Sequence, residues 1–169
     1  SQHLAGEQLL NSLKDSGINS CEIVVMTVRN PYDKLESHYH YRFNKIFNLK
    51  EFNLNSFKKF SEFNTFNNYI CQCMEEVKLN KNLYNNHFLP QNEFEILSPN
   101  IYKFEDGLLN LLNFVKKEAN ADFKIENVKK PGKPFLTRFF KVKWEKKTLE
   151  LVNKFYLEDF KKYNYDLRT

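Results

Sequence analysis

Glycine and cysteine are both scarce in this chain of 169 residues. Only 4 glycines are present, and so few flexible turn residues argue against a turn-rich β-sandwich and favour helices. The three cysteines, Cys21, Cys71 and Cys73, are an odd number and show no disulfide framework. Because a Cys-x-Cys pair alone is weak evidence for a metal, we expect thiols on a buried or half-buried helix and no metal.

Long apolar runs are absent too, and none approaches the length of a membrane span. No signal-peptide pattern is present. Although asparagine is abundant, the chain has no Asn-x-Ser/Thr glycosylation acceptor. Together with the cysteine count, these absences favour the reducing cytosol as the compartment.

Hydrophobic and aromatic residues, in contrast, are plentiful. They make up 41% and 16% of the chain, and 17 phenylalanines and 9 tyrosines carry most of the aromatic content. A chain of this length can bury roughly 70% of the surface that its unfolded form exposes. We therefore predict one domain over residues 1–169.

A short apolar run leads directly into a helix start. The run from Ile23 to Val28 is β-branched and nearly unbroken, which is typical of a strand covered on both faces in a parallel sheet. Arg29 follows it, Asn30 can cap the next helix, and Pro31 suits the first helical turn. Ligands of open α/β sheets bind where strand carboxyl ends meet helix amino termini, so this junction is predicted to bind an anion.

Two side chains near this junction are suited to a phosphate. Arg29 offers a planar fork for two oxygens, and Ser37 supplies a hydroxyl near the second turn of the helix. The helix is predicted to run from Pro31 to about Ile46, with Lys34 and Ser37 away from the packing face and Lys34 exposed. The predicted packing residues of this helix are Leu35, Tyr39, Arg42, Phe43 and Ile46.

The remaining chain is predicted to be mostly helical, with one further strand over Ile101–Phe104. Acidic Glu105 and Asp106 favour the amino terminus of the helix that follows this strand. The predicted helices lie from Glu7 to near Gly17, over Phe57–Phe63, Phe66–Val77 and Lys146–Tyr163, and along the apolar repeat from Leu108 to Val115; Asn120–Thr137 is predicted as a loop. The buried stripe predicted for the last helix consists of Leu149, Val152, Phe155, Tyr156 and Phe160.

Positive charge is concentrated between Lys129 and Lys147. This segment has eight basic residues against Glu145 alone, a local balance of +7, whereas the whole chain carries +5. Such a field would attract a multiply charged anion, either a nucleotide or an acidic glycan, and a merely solvated basic face is an equally good interpretation. Aromatic side chains in the segment could stack on nucleic-acid bases or belong to half-buried helices and strands; they are Phe135, Phe139, Phe140 and Trp144.

The stretch Arg29 to Tyr39, Arg-Asn-Pro-Tyr-Asp-Lys-Leu-Glu-Ser-His-Tyr, resembles a motif of the PAPS-dependent sulfotransferases, especially their carbohydrate (Golgi-type) branch. PAPS is 3′-phosphoadenosine 5′-phosphosulfate, and the family binds its 3′-phosphate with this motif. The resemblance implies that Arg29 and Ser37 are the two phosphate ligands. It also implies an α/β fold of the P-loop NTPase-like sulfotransferase type, a short parallel sheet flanked by helices.

Further blocks are similar to the same family and occur in the same order. His87-Phe88-Leu89-Pro90-Gln91 resembles its His-x-x-Pro-Gln segment, and Ile101 to Leu108 resembles its strand-to-helix Phe-Glu-Asp/Asn-Leu block. Tyr156 to Tyr165 is similar to its closing helix, with Asn164 in place of the usual glycine. The resemblance thus spans nearly the whole chain.

One feature of the family is missing from these residues. The family holds the 5′-phosphosulfate in a lysine- and glycine-containing loop between its first strand and first helix, and no run before Arg29 has this pattern. The segment Ser1 to Gly6 resembles the part that follows the loop. We therefore expect a single sulfotransferase-like domain over residues 1–169 that lacks the strand and loop for the 5′-phosphosulfate.

Sulfuryl transfer to an alcohol needs a base for the acceptor proton, and histidine is suited to that task. By resemblance to the uronyl-sulfating branch, His3 is the first candidate, and His87 is the second, as base or acceptor contact. We expect His38 and His40 to lie on the surface or in the core instead. In the family the basic region lies over the bound donor, which makes Lys133 and Arg138 candidate donor ligands.

Three functional hypotheses follow. The leading one is a sulfotransferase that uses PAPS as donor, releases adenosine 3′,5′-bisphosphate (PAP) and modifies a hydroxyl of a carbohydrate or similar acceptor, with no metal. The second is a non-catalytic module that keeps the 3′-phosphate site, and the third, least supported, is a nucleic-acid-binding domain. A Golgi lumenal enzyme lacking its N-terminal anchor is the alternative to a cytosolic one.

Overall fold

The computed structural model describes residues 5–18, 20–46, 65–120 and 142–169. The predicted helix Phe57–Phe63 lies outside these residues, as do most of the predicted loop Asn120–Thr137 and the candidate ligands His3, Lys133 and Arg138. The described helices are α1 (Gly6–Asp15), α2 (Pro31–Ile46), α3 (Phe66–Leu79), α4 (Leu109–Glu118), α5 (Lys146–Phe155) and α6 (Leu157–Lys162). Short 3₁₀ turns cover Leu83–Asn86, Gln91–Phe94 and Phe104–Asp106.

Two short parallel strands form the sheet of the described residues, and they confirm the coarse α/β prediction. Strand β1 (Val25–Val28) pairs with β2 (Asn100–Lys103) in a register that runs from Val25 opposite Asn100 to Val28 opposite Lys103. The predicted strands therefore exist, each within two residues of its expected bounds. The expectation that β1 is covered on both faces is wrong, because Thr27 is exposed and only Val28 of the strand is buried.

Helix α2 begins and ends where the sequence predicts. The Asn30 side-chain oxygen accepts a hydrogen bond from the Tyr32 backbone N–H at 3.0 Å, which satisfies one of the free N–H groups at the helix start. Pro31 and Leu35 are buried, whereas Arg42, which was predicted to pack, is exposed. The first turns of α2 thus pack against the core.

The hydrophobic core lies between α2, α3, α5 and α6. Helix α3 is capped by the Thr65 side chain, which accepts from the Asn68 N–H at 3.2 Å, and it buries one complete face. Cys73 of α3 is buried and Cys71 is half-buried, as predicted, whereas Cys21 is exposed. The largest fully buried side chains of the core are Tyr32, Leu35, Ile70, Met74, Val77, Phe88, Val152 and Tyr156.

The predicted single helix over Lys146–Tyr163 is bent at Tyr156, which separates α5 from α6. Tyr156 leaves helical geometry at φ −102° and ψ 21°, and its buried hydroxyl donates to the Phe88 carbonyl at 2.6 Å. The predicted stripe is confirmed, since four of its five members are buried and Phe155 is half-buried. None of the described helices is long and apolar enough to cross a membrane.

Candidate functional site

The main chain of Arg29 is held by a side chain and not by a strand. Arg29 follows the last residue pair of the ladder, Val28 with Lys103. Its N–H donates to Gln91 Oε1 at 2.7 Å, and its carbonyl accepts from Gln91 Nε2 at 2.7 Å. The amide of Gln91 therefore pairs with both backbone polar groups of Arg29, as a neighbouring strand would.

The guanidinium of Arg29 is left without an acidic partner in the part of the chain that the structure describes. It lies over the Phe104 ring, 5.2 Å from the centroid, which gives a weak cation–π contact. Arg29 is half-buried. A guanidinium that is held at its base and unpaired at its end can bind an oxyanion in a bidentate manner.

A carboxylate occupies the turn between β1 and α2. Glu105 Oε1 accepts from the Asn30 N–H at 2.7 Å, and Glu105 Oε2 accepts from the Tyr165 hydroxyl at 3.0 Å. Burial and this hydrogen bond raise the pKa of Tyr165 well above its usual value. Glu105, expected to favour its own helix start, instead caps the turn before α2, so an anion there relies on Arg29 and not on the Asn30 N–H.

Ser37 is exposed on α2, and a rise of 1.5 Å per residue puts it roughly 9 Å along the axis from Pro31. The structure records no contact between the side chains of Arg29 and Ser37, which are both described. The predicted convergence of these two groups on one phosphate therefore stays a prediction.

The C-terminal segment contacts α2 near Ser37, which the sequence did not indicate. Arg168 pairs with Asp33 and Glu36 at 3.3 Å each, and its guanidinium lies 4.5 Å from the centroid of the Tyr32 ring. Its backbone N–H also donates to the Tyr32 hydroxyl at 2.8 Å. Arg168 neutralises the two carboxylates nearest to Ser37 in sequence, which lowers the repulsion that an anion would meet there.

Lys34 corrects a prediction, because its ammonium is enclosed and not exposed. Its Nζ donates to the Leu89 carbonyl at 2.6 Å and lies 5.4 Å from the centroid of the Tyr156 ring. Burial lowers the pKa of Lys34 to about 8, although the negative charge of Asp159 acts in the opposite direction. The long apolar stem of a lysine allows its charged end to reach past a helix face that the residue pattern marks as polar.

His38 is half-buried against core side chains, between the surface and core placements that we expected for it. Its Nε2 is 2.9 Å from the Tyr69 hydroxyl, and its ring contacts those of Phe88 and His87 at centroid distances of 4.8 and 5.2 Å. Burial, followed by the positive charges of His87, Arg42 and Lys34, lowers the pKa of His38 to about 3. His38 is therefore neutral at physiological pH and a poor base.

A cavity of about 690 Å³ lies between α1, β1, α2 and the segment from Asn86 to Pro99. Most of its wall is apolar, with Leu9 and Leu13 from α1 and Phe94 and Ile96 opposite. Polar groups come from Lys34, Asn86, His87 and Gln91. Of the candidate residues, His87 thus borders this space, whereas Arg29 and Ser37 do not line it.

Asp159 completes the surroundings of Arg29 from α6. It is fully buried, its Oδ2 accepts from the Gln91 backbone N–H at 2.7 Å, and its Oδ1 accepts from the Asn92 N–H at 2.9 Å. The sequence motifs contained Gln91 and Asp159, but nothing in their spacing indicated that they meet. The structure thus links Arg29, Gln91 and Asp159, which come from three of the four resembling blocks.

The basic segment is described only from Val142 onward. Lys143, Lys146 and Lys147 are exposed. Trp144 donates from Nε1 to Glu36 Oε1 at 2.7 Å and packs edge-on against Tyr32 and Phe66. Because this indole is used within the fold, it is not available for base stacking. Within the described ranges, no group of three or more His, Cys, Asp or Glu side chains could hold a metal ion.

Comparison of the chain with protein-family models, with curated proteins and with solved structures found no match.

Proposed function

We propose that this domain binds PAPS and transfers its sulfuryl group to a hydroxyl of a carbohydrate or similar acceptor. The observation that carries the proposal is the position of Arg29. It stands at the carboxyl end of a parallel strand, immediately before a capped helix, with a fixed main chain and a guanidinium that no described carboxylate neutralises. The identity of the anion comes from the resemblance of the Arg29–Tyr39 motif to the 3′-phosphate motif of sulfotransferases.

In this proposal Arg29 binds two oxygens of the 3′-phosphate, and Ser37 donates a third hydrogen bond from its exposed hydroxyl. Arg168 contributes indirectly by holding Asp33 and Glu36 as ion pairs. PAP therefore should bind more tightly than adenosine 5′-monophosphate, which lacks the 3′-phosphate. The other two candidate donor ligands, Lys133 and Arg138, lie outside the described part of the chain.

PAPS would supply the sulfuryl group, whose bond to the 5′-phosphate oxygen breaks as the acceptor oxygen bonds to sulfur and loses its proton. His87 is the better described candidate for the base that takes this proton, because it is exposed and borders the cavity. His38 is excluded from that role by its low pKa and its bond to Tyr69. His3 remains the other candidate.

A binding module without transfer activity is the second candidate function. One observation favours it: the cavity beside His87 is mostly apolar, which gives a carbohydrate few partners. Both candidates require the 3′-phosphate site. They differ only in whether sulfate leaves the donor.

Calorimetric titration with PAP tests the shared part of the proposal. The wild-type protein should bind PAP, and Arg29→Ala should weaken binding at least about tenfold, because a bidentate charged contact is lost. Lys154→Ala is the matched control, since it removes one exposed positive charge outside the basic segment. Equal affinities of the two variants would contradict the phosphate assignment. Measured sulfate transfer from PAPS to a panel of hydroxyl acceptors then separates the enzyme from the binding module.

A further inference from the structure

Arg29 begins where the β-ladder ends, so its two backbone polar groups need partners from elsewhere. One side chain supplies both, because the Gln91 amide accepts from the Arg29 N–H and donates to the Arg29 carbonyl at 2.7 Å in each case. Two hydrogen bonds to one residue fix both its position and its orientation. A change at Gln91 therefore moves the base of the Arg29 side chain.

Gln91 is itself fixed from α6. It opens the 3₁₀ turn Gln91–Phe94, and the preceding Pro90 provides no side-chain cap for the free N–H groups of that turn. Asp159 supplies this cap from another helix, with 2.7 Å to the Gln91 N–H, 2.9 Å to the Asn92 N–H and 3.4 Å to Gln91 Nε2. Gln91 is 7% exposed and Asp159 is fully buried, so water cannot replace these bonds without opening the core.

We infer that Gln91 and Asp159 are positioning residues for Arg29, and that α6 sets the place of the anion-binding guanidinium through this pair of contacts. Asp159 does not touch Arg29 and acts only through Gln91. The inference rests on the proposed function, because it assigns to both residues an effect on the affinity of the 3′-phosphate site. It makes that affinity depend on α6, which is 130 residues downstream of Arg29 in the sequence.

A double-mutant cycle with PAP as the probe tests this inference. Gln91→Met keeps the length of the side chain and removes both bonds to Arg29, and it should weaken PAP binding about tenfold. In an Arg29→Ala background the same substitution should have no further effect. Gln72→Met is the matched control, because Gln72 is exposed on α3 and its side chain donates to Glu76 at 2.9 Å, far from Arg29 in the sequence.

The outcomes separate the two proposals. If Arg29→Ala does not weaken PAP binding, the proposed function fails. If Arg29→Ala weakens it and Gln91→Met costs the same affinity in both backgrounds, then Gln91 acts on the fold in general and the positioning role is wrong.

Amide hydrogen exchange measured by NMR without any ligand provides an independent test. The Arg29 N–H should exchange at least about tenfold faster in Gln91→Met than in the wild type, because its acceptor is gone. It should also exchange faster in Asp159→Asn, in which an NH₂ group faces one of the two N–H donors. Unchanged exchange at Arg29 in a folded Asp159→Asn protein would overturn the link to α6. If that variant does not fold, Asp159→Glu, whose longer side chain displaces the two acceptor oxygens, gives the same comparison, and unchanged exchange at Arg29 in it would overturn the link.

Discussion

The helical core and the region beside β1 both contain apolar side chains, but they bury these side chains to different extents. In the core, Ile70, Val152 and Tyr156 are fully buried. Along β1, Val25 and Met26 are only half-buried and border the cavity, and Thr27 is exposed. Arg29 lies at the boundary, with its main chain fixed through Gln91 to the core and its guanidinium directed over Phe104. The difference shows how one residue can be rigid at its base and accessible at its charged end.

The largest effect on stability is expected at Asp159, the core residue that holds Gln91 and, through it, the main chain of Arg29. Asp159→Ala should lower the free energy of unfolding by about 3 to 5 kcal/mol, because the buried Gln91 N–H and the part-buried Asn92 N–H lose their acceptor and the enclosed Lys34 ammonium loses a nearby negative charge. Chemical denaturation measures this value. Asp166→Ala, at an exposed position, is the control and should change stability by less than about 0.5 kcal/mol. Similar losses of unfolding free energy in the two variants would mean that Asp159 does not stabilise the contact between the core and the region beside β1.

A pair of isoleucines compares the two regions directly. Ile70→Ala in α3 should cost about 2 to 5 kcal/mol of unfolding free energy, because Ile70 is fully buried and the substitution leaves a cavity. Ile101→Ala in β2 should cost about 1 kcal/mol or less, because Ile101 is 37% exposed and its loss leaves no enclosed void. Chemical denaturation gives both changes in unfolding free energy, if the variants and the wild type show the same dependence of that free energy on denaturant concentration. A cost at Ile101 as large as that at Ile70 would show that the sheet side is packed as tightly as the core.

The pH dependence of stability provides a third comparison. The folded-state pKa of His38 is about 3, below its usual 6.5, so the unfolded chain takes up a proton there first as pH falls. Between pH 7 and pH 5 the wild type should therefore lose roughly 2 kcal/mol more stability than His38→Gln. Other groups titrate alike in both proteins and cancel in the difference. Parallel stability curves would show that His38 is not kept neutral by its surroundings.

The smallest effect is expected at Arg168, which is exposed and which we expect to change PAP binding only through its charge. Arg168→Met removes the guanidinium that lies over Tyr32 and takes the ion-pair partner from Asp33 and Glu36, so PAP binding should weaken about threefold at low salt. The effect should fade at high salt, because exposed charges are screened. Lys154→Met is a control for the loss of one exposed positive charge. A salt-independent effect would indicate that Arg168 acts by packing alone.

Local features were predictable from the sequence to different degrees. The start of α2 follows from Asn30 and Pro31, because capping depends on neighbouring residues only. The predicted bounds of the two strands lie within two residues of the observed ones. The position of Lys34 was predicted wrongly, since a helical period assigns a face but does not tell how far a long side chain reaches. The break in the helix at Tyr156 was not predicted, and the bond from its hydroxyl to the Phe88 carbonyl, 68 residues away, is not visible in a local pattern.

The candidate site was predictable only in part. The sequence pointed to Arg29, and the structure places it at the end of a parallel strand as expected. The partners of Arg29 could not be derived, because Gln91 lies 62 residues away and Asp159 lies a further 68 residues on. Arg168 was missed for the same reason, since no short-range pattern links it with Asp33. The convergence of Arg29 and Ser37 on one phosphate, and the transfer chemistry, remain predictions that the binding experiments address.

The sequence by itself determined the helix starts, the parallel strands and the arginine at their junction, because capping, periodicity and residue type act over a few positions. The tertiary structure alone decided that an amide from one segment and a carboxylate from the last helix hold that arginine in place. Hydrogen bonds between distant segments depend on how the helices pack. That packing depends on the contacts of all the core side chains together and not on any short stretch of sequence. A local pattern can therefore indicate which residue binds, but not what positions it.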